Sequence, residues 1–284
     1  MKPTIVVRNV YKNYTSGGAT TPVLEGIDLQ ILPGECVFLV GPSGSGKTTL
    51  LSILGCLLTP DRGQVLIAGQ ELSGLSDLER ALLRRDRLGF VFQRFHLIRG
   101  LTAAQNVAVP LTLAGVAPQQ ARDRALDLLG AVGLAEKAQS HVGNLSTGQC
   151  QRVALARALA GDPDVILADE PTASLDGVNG QEVMQLLRKL TSESGKTAVV
   201  VTHDARIYSF ADRILELDGG RIAPTLRGED AGLPALAGAR RGEGETRGGG
   251  DAERGRRGEG EQGSKTNKAP HPLISDLRPL TSDL

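Results

Sequence analysis

The chain is short of cysteine, of aromatic residues and of net charge, and each shortage removes a class of protein. Its three cysteines, Cys36, Cys56 and Cys150, are widely spaced and odd in number, and form no CxxC or Cys/His cluster. Neither a disulfide framework nor a zinc site is expected, and a reducing cytosol is the expected setting. Lys plus Arg number 32 and Asp plus Glu also number 32. That balance removes the broad basic field that draws in a nucleic-acid backbone, so no nucleic-acid partner is expected. No stretch approaches about eighteen consecutive apolar residues, and the opening MKPTIVVRNVYKNY has no apolar core of the kind a signal peptide carries. Neither a leader nor a membrane span is expected, and any service to a membrane requires a partner. Internal repeats are absent as well, so the chain reads as one copy of its functional unit.

What is present is an alternation of strand-like and helix-like segments. CVFLV (Cys36 to Val40), VILAD (Val165 to Asp169) and TAVVVT (Thr197 to Thr202) are short, continuous apolar runs, the pattern of parallel strands covered on both faces. Each is followed by helical spacing, which predicts an α/β sheet. TIVVRNV, GIDLQIL and GQVLIAG alternate or are bounded by glycine, and predict antiparallel strands beside the main sheet. Leu101 to Leu159 shows helical periodicity and no convincing strand, so a helical insertion is expected over about 94–159. From Gly228 to about Ser264 the chain turns to Gly, Arg, Glu and Ala, too few bulky apolar residues to offset chain entropy. The expected organisation is one folded domain over 1–224 and a disordered tail over 225–284.

The strongest local signal is GPSGSGKT, Gly41 to Thr48, directly after the CVFLV strand and before the apolar-periodic TLLSILGCLL. This is a G-x-x-x-x-G-K-[ST] loop in the strand–loop–helix setting that phosphate binding demands. Its residues Gly41, Pro42, Ser43, Gly44, Ser45, Gly46, Lys47 and Thr48, with Thr49 after them, form the expected cradle. Glycines let the backbone N–H groups turn inward around phosphates where a Cβ would obstruct. Lys47 is expected to reach the β- and γ-phosphates, and Thr48 to offer its hydroxyl to Mg²⁺. Far away in sequence, VILADEP ends a buried strand with Asp169 and Glu170, at the carboxyl edge where α/β sheets bind ligands. Asp169 is expected to hold Mg²⁺ through water, and Glu170 to orient the attacking water. Alone, two acids after a strand are ordinary helix N-terminal charges; beside the first motif they gain meaning.

LSTGQ (Leu145 to Gln149), followed by CQRVALARALAGDPDVILADEPTASLD, resembles the signature motif of ABC ATPases running into Walker B and the D-loop. The resemblance covers about Ile5 to Ile222. It implies a P-loop NTPase (RecA-like) core with an antiparallel β subdomain and a helical insertion subdomain, with ATP and Mg²⁺ as cofactors. It also implies that Gln93 in FVFQ is the Q-loop glutamine, in contact with the ion or lytic water, and that Ser174-Leu175-Asp176 is the D-loop. His203 in VVVTHD becomes the switch histidine. Ser146, Gly148, Gln149 and Asp176 are then expected to serve the ATP of an opposing subunit in a head-to-tail pair. For adenine stacking the candidates are Tyr14 and, three residues earlier, Tyr11, and the sequence leaves both open. The signature departs from the common LSGGQ at Thr147, and Cys150 stands where Gln is frequent; both bear on the closed pair rather than on the phosphate cradle.

Within the family, GPSGSGKTTLLSILGCLLTPDRGQV and RRDRLGFVFQRFHLIRGLTAAQNVAVPL resemble the lipoprotein-release, macrolide-export and cell-division group of LolD, MacB and FtsE. That placement implies a homodimer or paired cassette that drives a separate FtsX-like or MacB-like permease from the cytoplasmic face of the membrane. The alternatives are a soluble ABC ATPase of DNA repair or translation, expected to carry a long coiled coil or two cassettes, and a P-loop kinase, expected to lack LSTGQ.

Overall fold

A computed structural model of the chain describes residues 2–223 and the backbone of 226–227; apart from those two residues, the tail expected over 225–284 lies outside the described residues. The strands are β1 (Ile5–Ser16), β2 (Ala19–Ile31), β3 (Cys36–Val40), β4 (Arg62–Ile67), β5 (Gln70–Glu71), β6 (Leu88–Phe92), β7 (Val165–Asp169), β8 (Thr197–Val201), β9 (Arg213–Asp218), β10 (Arg221–Ile222) and β11 (Leu226–Arg227). The helices are α1 (Lys47–Leu54), α2 (Asp77–Arg87), α3 (Ala103–Leu113), α4 (Pro118–Ala131), α5 (Thr147–Leu159) and α6 (Gly177–Glu193). The three continuous apolar runs become β3, β7 and β8, and lie in the order β10-β9-β3-β8-β7-β6. Within it β9, β3, β8, β7 and β6 are mutually parallel. The alternating segments become β1, β2 and β4 of a separate antiparallel sheet, ordered β2-β1-β4-β5. The α/β P-loop NTPase architecture expected from the sequence is therefore observed.

The central strands are apolar throughout because both faces are covered. Phe38 and Val40 of β3 point into one cluster with Ile166, Ala168, Ala198 and Val200, beneath α3, α4, α5 and α6. Val37 and Leu39 point into another with Val165, Leu167, Val199 and Val201, beneath α1 and the antiparallel sheet. Each such side chain fully removed from water contributes about 1.5–3 kcal/mol, so the sheet is the most stable platform available to a site. Burial pushes the Cys36 thiol up to about 12 and that of Cys56 up to about 11, and both act as core side chains. Between 93 and 164 the helices α3, α4 and α5 are joined by turns and 3₁₀ segments, with one isolated bridge between Thr102 and His141. Among the described residues no helix is long and apolar enough to cross a membrane.

Helix starts are written in the sequence. Ser76 with Glu79, Thr102 with Gln105, and Ser146 with Gln149 form capping boxes at α2, α3 and α5, each satisfying two of the backbone donors a helix start leaves free. Asp176 caps α6 and Pro118 opens α4. Two helices have no side-chain cap: α4, which follows Ala117, and α1, which follows Gly46 in the left-handed region.

Helix α5 reaches the sheet because Gly89 of β6 has no side chain: a Cβ there would lie 2.2 Å from the Ala158 carbonyl oxygen. Gly89→Ala is expected to destabilise the fold by about 1–3 kcal/mol through overpacking, measured by urea denaturation. Wild-type stability in that variant would show α5 free to move off the strand.

Candidate functional site

A cleft of about 520 Å³ opens at the carboxyl ends of β3, β7 and β8. One wall is the loop between β3 and α1. Gly41 has φ +137°, and a Cβ on it would lie 2.1 Å from the Leu217 carbonyl oxygen; Gly46 has φ +103°, and a Cβ would lie 2.8 Å from the Val23 carbonyl oxygen. Glycine is required at both because backbone from β9 and β2 presses the loop shut from behind. The loop thus turns its own N–H groups toward the cleft. With no side-chain cap at Gly46, the start of α1 faces the cavity with free donors and the positive end of its dipole. Lys47 folds back over the loop, its ammonium donating to the carbonyls of Gly41 at 2.9 Å and Pro42 at 2.8 Å.

The opposite wall is acidic. Asp169, the last residue of β7, is in register with Phe92 of β6 and Val201 of β8, and with Gln93, Glu170 and His203 it lines the cleft. Burial first, and then the neighbouring Glu170 carboxylate, raise the Asp169 pKa; Lys47 acts against them. Glu170 adopts φ +49°, a strain that costs on the order of 1 kcal/mol. Its N–H donates to the Val201 carbonyl at 2.9 Å, which fixes the turn. Its Oε1 lies 2.7 Å from His203 Nδ1, whereas Oε2 is buried without a partner among the described residues. The histidine side chain is 72% exposed and engages one oxygen of the acid, while the other is enclosed by the protein.

The donor set suits Mg²⁺. Thr48, Gln93 and Asp169 bring hard oxygen donors to one cavity, and Glu170 Oε2 is an unpartnered acceptor beside them. Among the described residues no cluster of three or more His, Cys, Asp or Glu could hold an ion outright; an ion that keeps several waters and takes substrate oxygens does not need one.

Of the sequence-predicted residues, Gly41, Ser43, Gly44, Gly46, Lys47, Thr48, Thr49, Gln93, Asp169, Glu170 and His203 line the cleft, with Val23 of β2 and Val201 of β8 added. Pro42 lends its carbonyl to Lys47, and Ser45 is buried beneath the loop. Ser146, Gly148, Gln149 and Asp176 do not line it. Ser146 and Gln149 are engaged in the α5 capping box, and Gly148 is buried against α6. Thr147 is exposed at the first position of α5 and is not among the positive-φ residues, so the backbone there does not require glycine. Cys150 is half-buried, its Sγ 3.6 Å from the Val142 carbonyl. Tyr14 is 44% exposed in the β1–β2 hairpin and pairs with Thr21, two residues from Val23. The Tyr11 hydroxyl instead packs over Gly26.

Sequence reasoning missed the ties that hold the loops. The Ser174 hydroxyl donates to the Gln93 carbonyl at 3.2 Å. Arg157 of α5 donates to the carbonyls of Phe95 and His96, two residues with positive φ just after Gln93. Thr172 donates to Asp204, which also holds Arg206 through both carboxylate oxygens. The polar pattern of α5 carries no signal for Arg157, because its partners are backbone oxygens.

The raised Asp169 pKa makes a prediction. Below its ordinary value of 3.8 the group is protonated folded or unfolded; as pH rises through the raised folded value, ionisation costs the folded state more than the unfolded chain. Asp169→Asn is therefore expected to stabilise the nucleotide-free protein at pH 7 by about 1 kcal/mol, with the gain vanishing near pH 3. Thermal melting across that range checks it, and a gain that persists at pH 3 would refute burial of the charge as its cause.

The family model described as ABC transporter matches residues 24–173. An ABC transporter ATP-binding protein of Methanocaldococcus jannaschii is 47% identical over 232 residues, covering 80% of this chain and 99% of its own. The macrolide export ATP-binding/permease protein MacB of Wolinella succinogenes is 48% identical over 221 residues, and the chain spans only 34% of its length. A dimeric structure of the Methanocaldococcus cassette in a post-hydrolysis state, bound to ADP and Pi, superposes with a TM-score of 0.73 at 44% identity, covering 78% of this chain and 98% of that one. A glycine-walled cavity, a strand-end acid pair and matches of this extent place the chain in the ABC transporter family.

Proposed function

We propose that this protein binds Mg-ATP in the cleft between the Gly41–Thr49 loop and Asp169–Glu170, and hydrolyses it as one half of a head-to-tail pair that drives an FtsX-like permease. The observation that carries this reading is the meeting of an uncapped helix start, Lys47 and a fixed acid pair in one cavity. Free N–H groups at the start of α1 bind the phosphates, and Lys47 leaves its loop carbonyls for the β- and γ-oxygens. Thr48 and Asp169, with Gln93, hold Mg²⁺, which supplies charge neutralisation when bound. Glu170 is the general base: its carboxylate, positioned by His203 at Oε1, orients the lytic water and accepts its proton. The Tyr14 ring stacks on adenine beside Val23, a contact worth about 1 kcal/mol.

The signature residues complete the neighbour's site. Ser146 and Thr147 stand exposed at the start of α5, away from their own cleft, where a second copy can present its phosphates. The dimeric Methanocaldococcus cassette supports this pairing. Membrane partnership is supported by the MacB relatives, whose chains combine ATP-binding and permease functions by name. Its docking place in our reading is a mostly apolar groove of about 410 Å³ lined by Leu57, Phe90, Phe92, Pro110 and Leu113, with Arg84 and Arg157 at its sides. A permease helix seated there on the cytoplasmic face of the membrane presses on the Phe95–His96 turn that Arg157 holds, and so on Gln93 one strand end away.

Two experiments test the proposal. Glu170→Gln is expected to bind ATP, lose about 10²–10⁴-fold in turnover and accumulate an ATP-bound dimer on size exclusion; undiminished turnover removes Glu170 as the base. Leu113, 68% exposed at the end of α3, gives a second. Leu113→Asp is expected to retain the ATPase activity of the isolated cassette while abolishing co-purification with the permease, and intact co-purification would rule the groove out.

A further inference from the structure

Glycine in the signature motif invites the explanation that a phosphate must come close to its backbone. The direction of the missing side chain at Gly148 says otherwise. A Cβ built there would point into α6, 3.0 Å from Asn179 Oδ1 and 3.4 Å from Asn179 Cγ, and Gly148 is buried. Asn179 is itself tied down. Its N–H donates to Asp176 Oδ1 at 2.9 Å and its side-chain amide donates to Asp176 Oδ2 at 2.7 Å. One turn further along both helices, Arg152 of α5 meets Glu182 of α6 at 2.9 Å. Helices α5 and α6 are thus in contact at two successive levels, by an ion pair at one and, at the other, by packing of the asparagine that the D-loop aspartate holds against Gly148 near the start of the signature helix.

We propose that Asn179 is a positioning residue that holds the Asp176 end of the D-loop and the Ser146 end of α5 at a fixed spacing, and that position 148 is glycine to admit it. This rests on the reading above, in which both ends serve the ATP bound by a paired copy. Two groups that must meet one nucleotide together gain from being set as one unit, because their relative placement is then not ordered anew at each closure. The tie lies away from the chain's own cleft, so it acts on turnover in the pair and not on capture of nucleotide by a single copy.

A double-mutant cycle on the full chain separates this from the phosphate-approach explanation. Truncating Asn179 removes the two atoms that a Cβ at 148 would crowd and leaves only its own Cβ, at 3.7 Å, an ordinary contact. Asn179→Ala and Gly148→Ala are each expected to lower kcat about tenfold, with binding of a fluorescent ATP analogue to the unpaired chain unchanged. Combined, they are expected to be no worse than the weaker single variant. If Gly148→Ala costs the same factor with and without Asn179, the glycine serves the nucleotide and the proposal falls; wild-type kcat in Asn179→Ala also overturns it. Asn179→Ser, which keeps a polar side chain on α6, repeats the cycle should the alanine variant melt early. A wild-type chain that binds no Mg-ATP would sink the underlying site assignment instead, and the two failures are told apart by that first measurement.

Discussion

A helix that begins without a cap leaves backbone donors that something else must satisfy, and the placement of the other site residues answers to that requirement at α1. Four of the other five α-helices are capped by side chains, three of them by reciprocal boxes, and α4 is opened by Pro118, which at the first position has no N–H to satisfy. At α1 the chain uses a left-handed glycine, which has nothing to offer the donors. The N–H groups at the start of α1 have no side-chain acceptor, and with the positive end of the helix dipole behind them they favour an anion in the cleft. The Lys47 ammonium above the loop adds a positive charge whose own bonds, to the carbonyls of Gly41 and Pro42 and more distantly to the Ser45 hydroxyl, all lie within the loop and are exchangeable.

That preference becomes chemistry through the sheet. Parallel strands deliver their carboxyl ends to one edge, and the order β3-β8-β7 sets the loop after β3, the histidine after β8 and the acids after β7 within one cavity. The register that aligns Asp169 with Val201 also lets the Glu170 N–H reach the Val201 carbonyl. A single ladder therefore sets the distance between the acid and the histidine two residues beyond the end of β8. Leu217 and Val23, pressing on Gly41 and Gly46 from behind, show that the loop's shape is imposed by β9 and β2 as well as by its own glycines.

Local chemistry is what the sequence exposes most clearly. The P-loop, the strand-end acids and the three double-sided apolar strands were legible because each depends on residues adjacent in the chain. The capping boxes were equally so: LSTGQ, met as a family signature, is also an S-x-x-Q box. Less legible was β9, whose RILELD pattern alternates and gives no sign of the parallel sheet it joins. Contacts between distant segments were hidden altogether. Arg157 with Phe95 and His96, and Ser174 with Gln93, pair a side chain with a backbone oxygen, for which residue identity carries no code. Tyr11 and Tyr14 were inseparable in sequence, since a choice between them depends on the bulged register of the β1–β2 hairpin.

The site is unfavourable as a piece of folded protein, and its position explains why it persists. Glu170 carries backbone strain, Asp169 holds a charge that burial opposes, and Glu170 Oε2 is a buried acceptor with no partner among the described residues. Together these amount to several kcal/mol at about 1–3 kcal/mol apiece. They sit at the end of strands whose side chains contribute about 1.5–3 kcal/mol each, with Val37, Phe38, Leu39, Val199 and Val200 all fully buried. The same arrangement at the end of a hairpin or surface helix would relax, the acid swinging to solvent and the turn after β7 losing its left-handed residue. Rigid strands deny that escape, so the ways to relieve the terms are to change the residues or to place compensating charge and hydrogen-bond donors in the cleft. In the function we propose, a magnesium nucleotide would supply the charge, and the water ligands of the ion the donors.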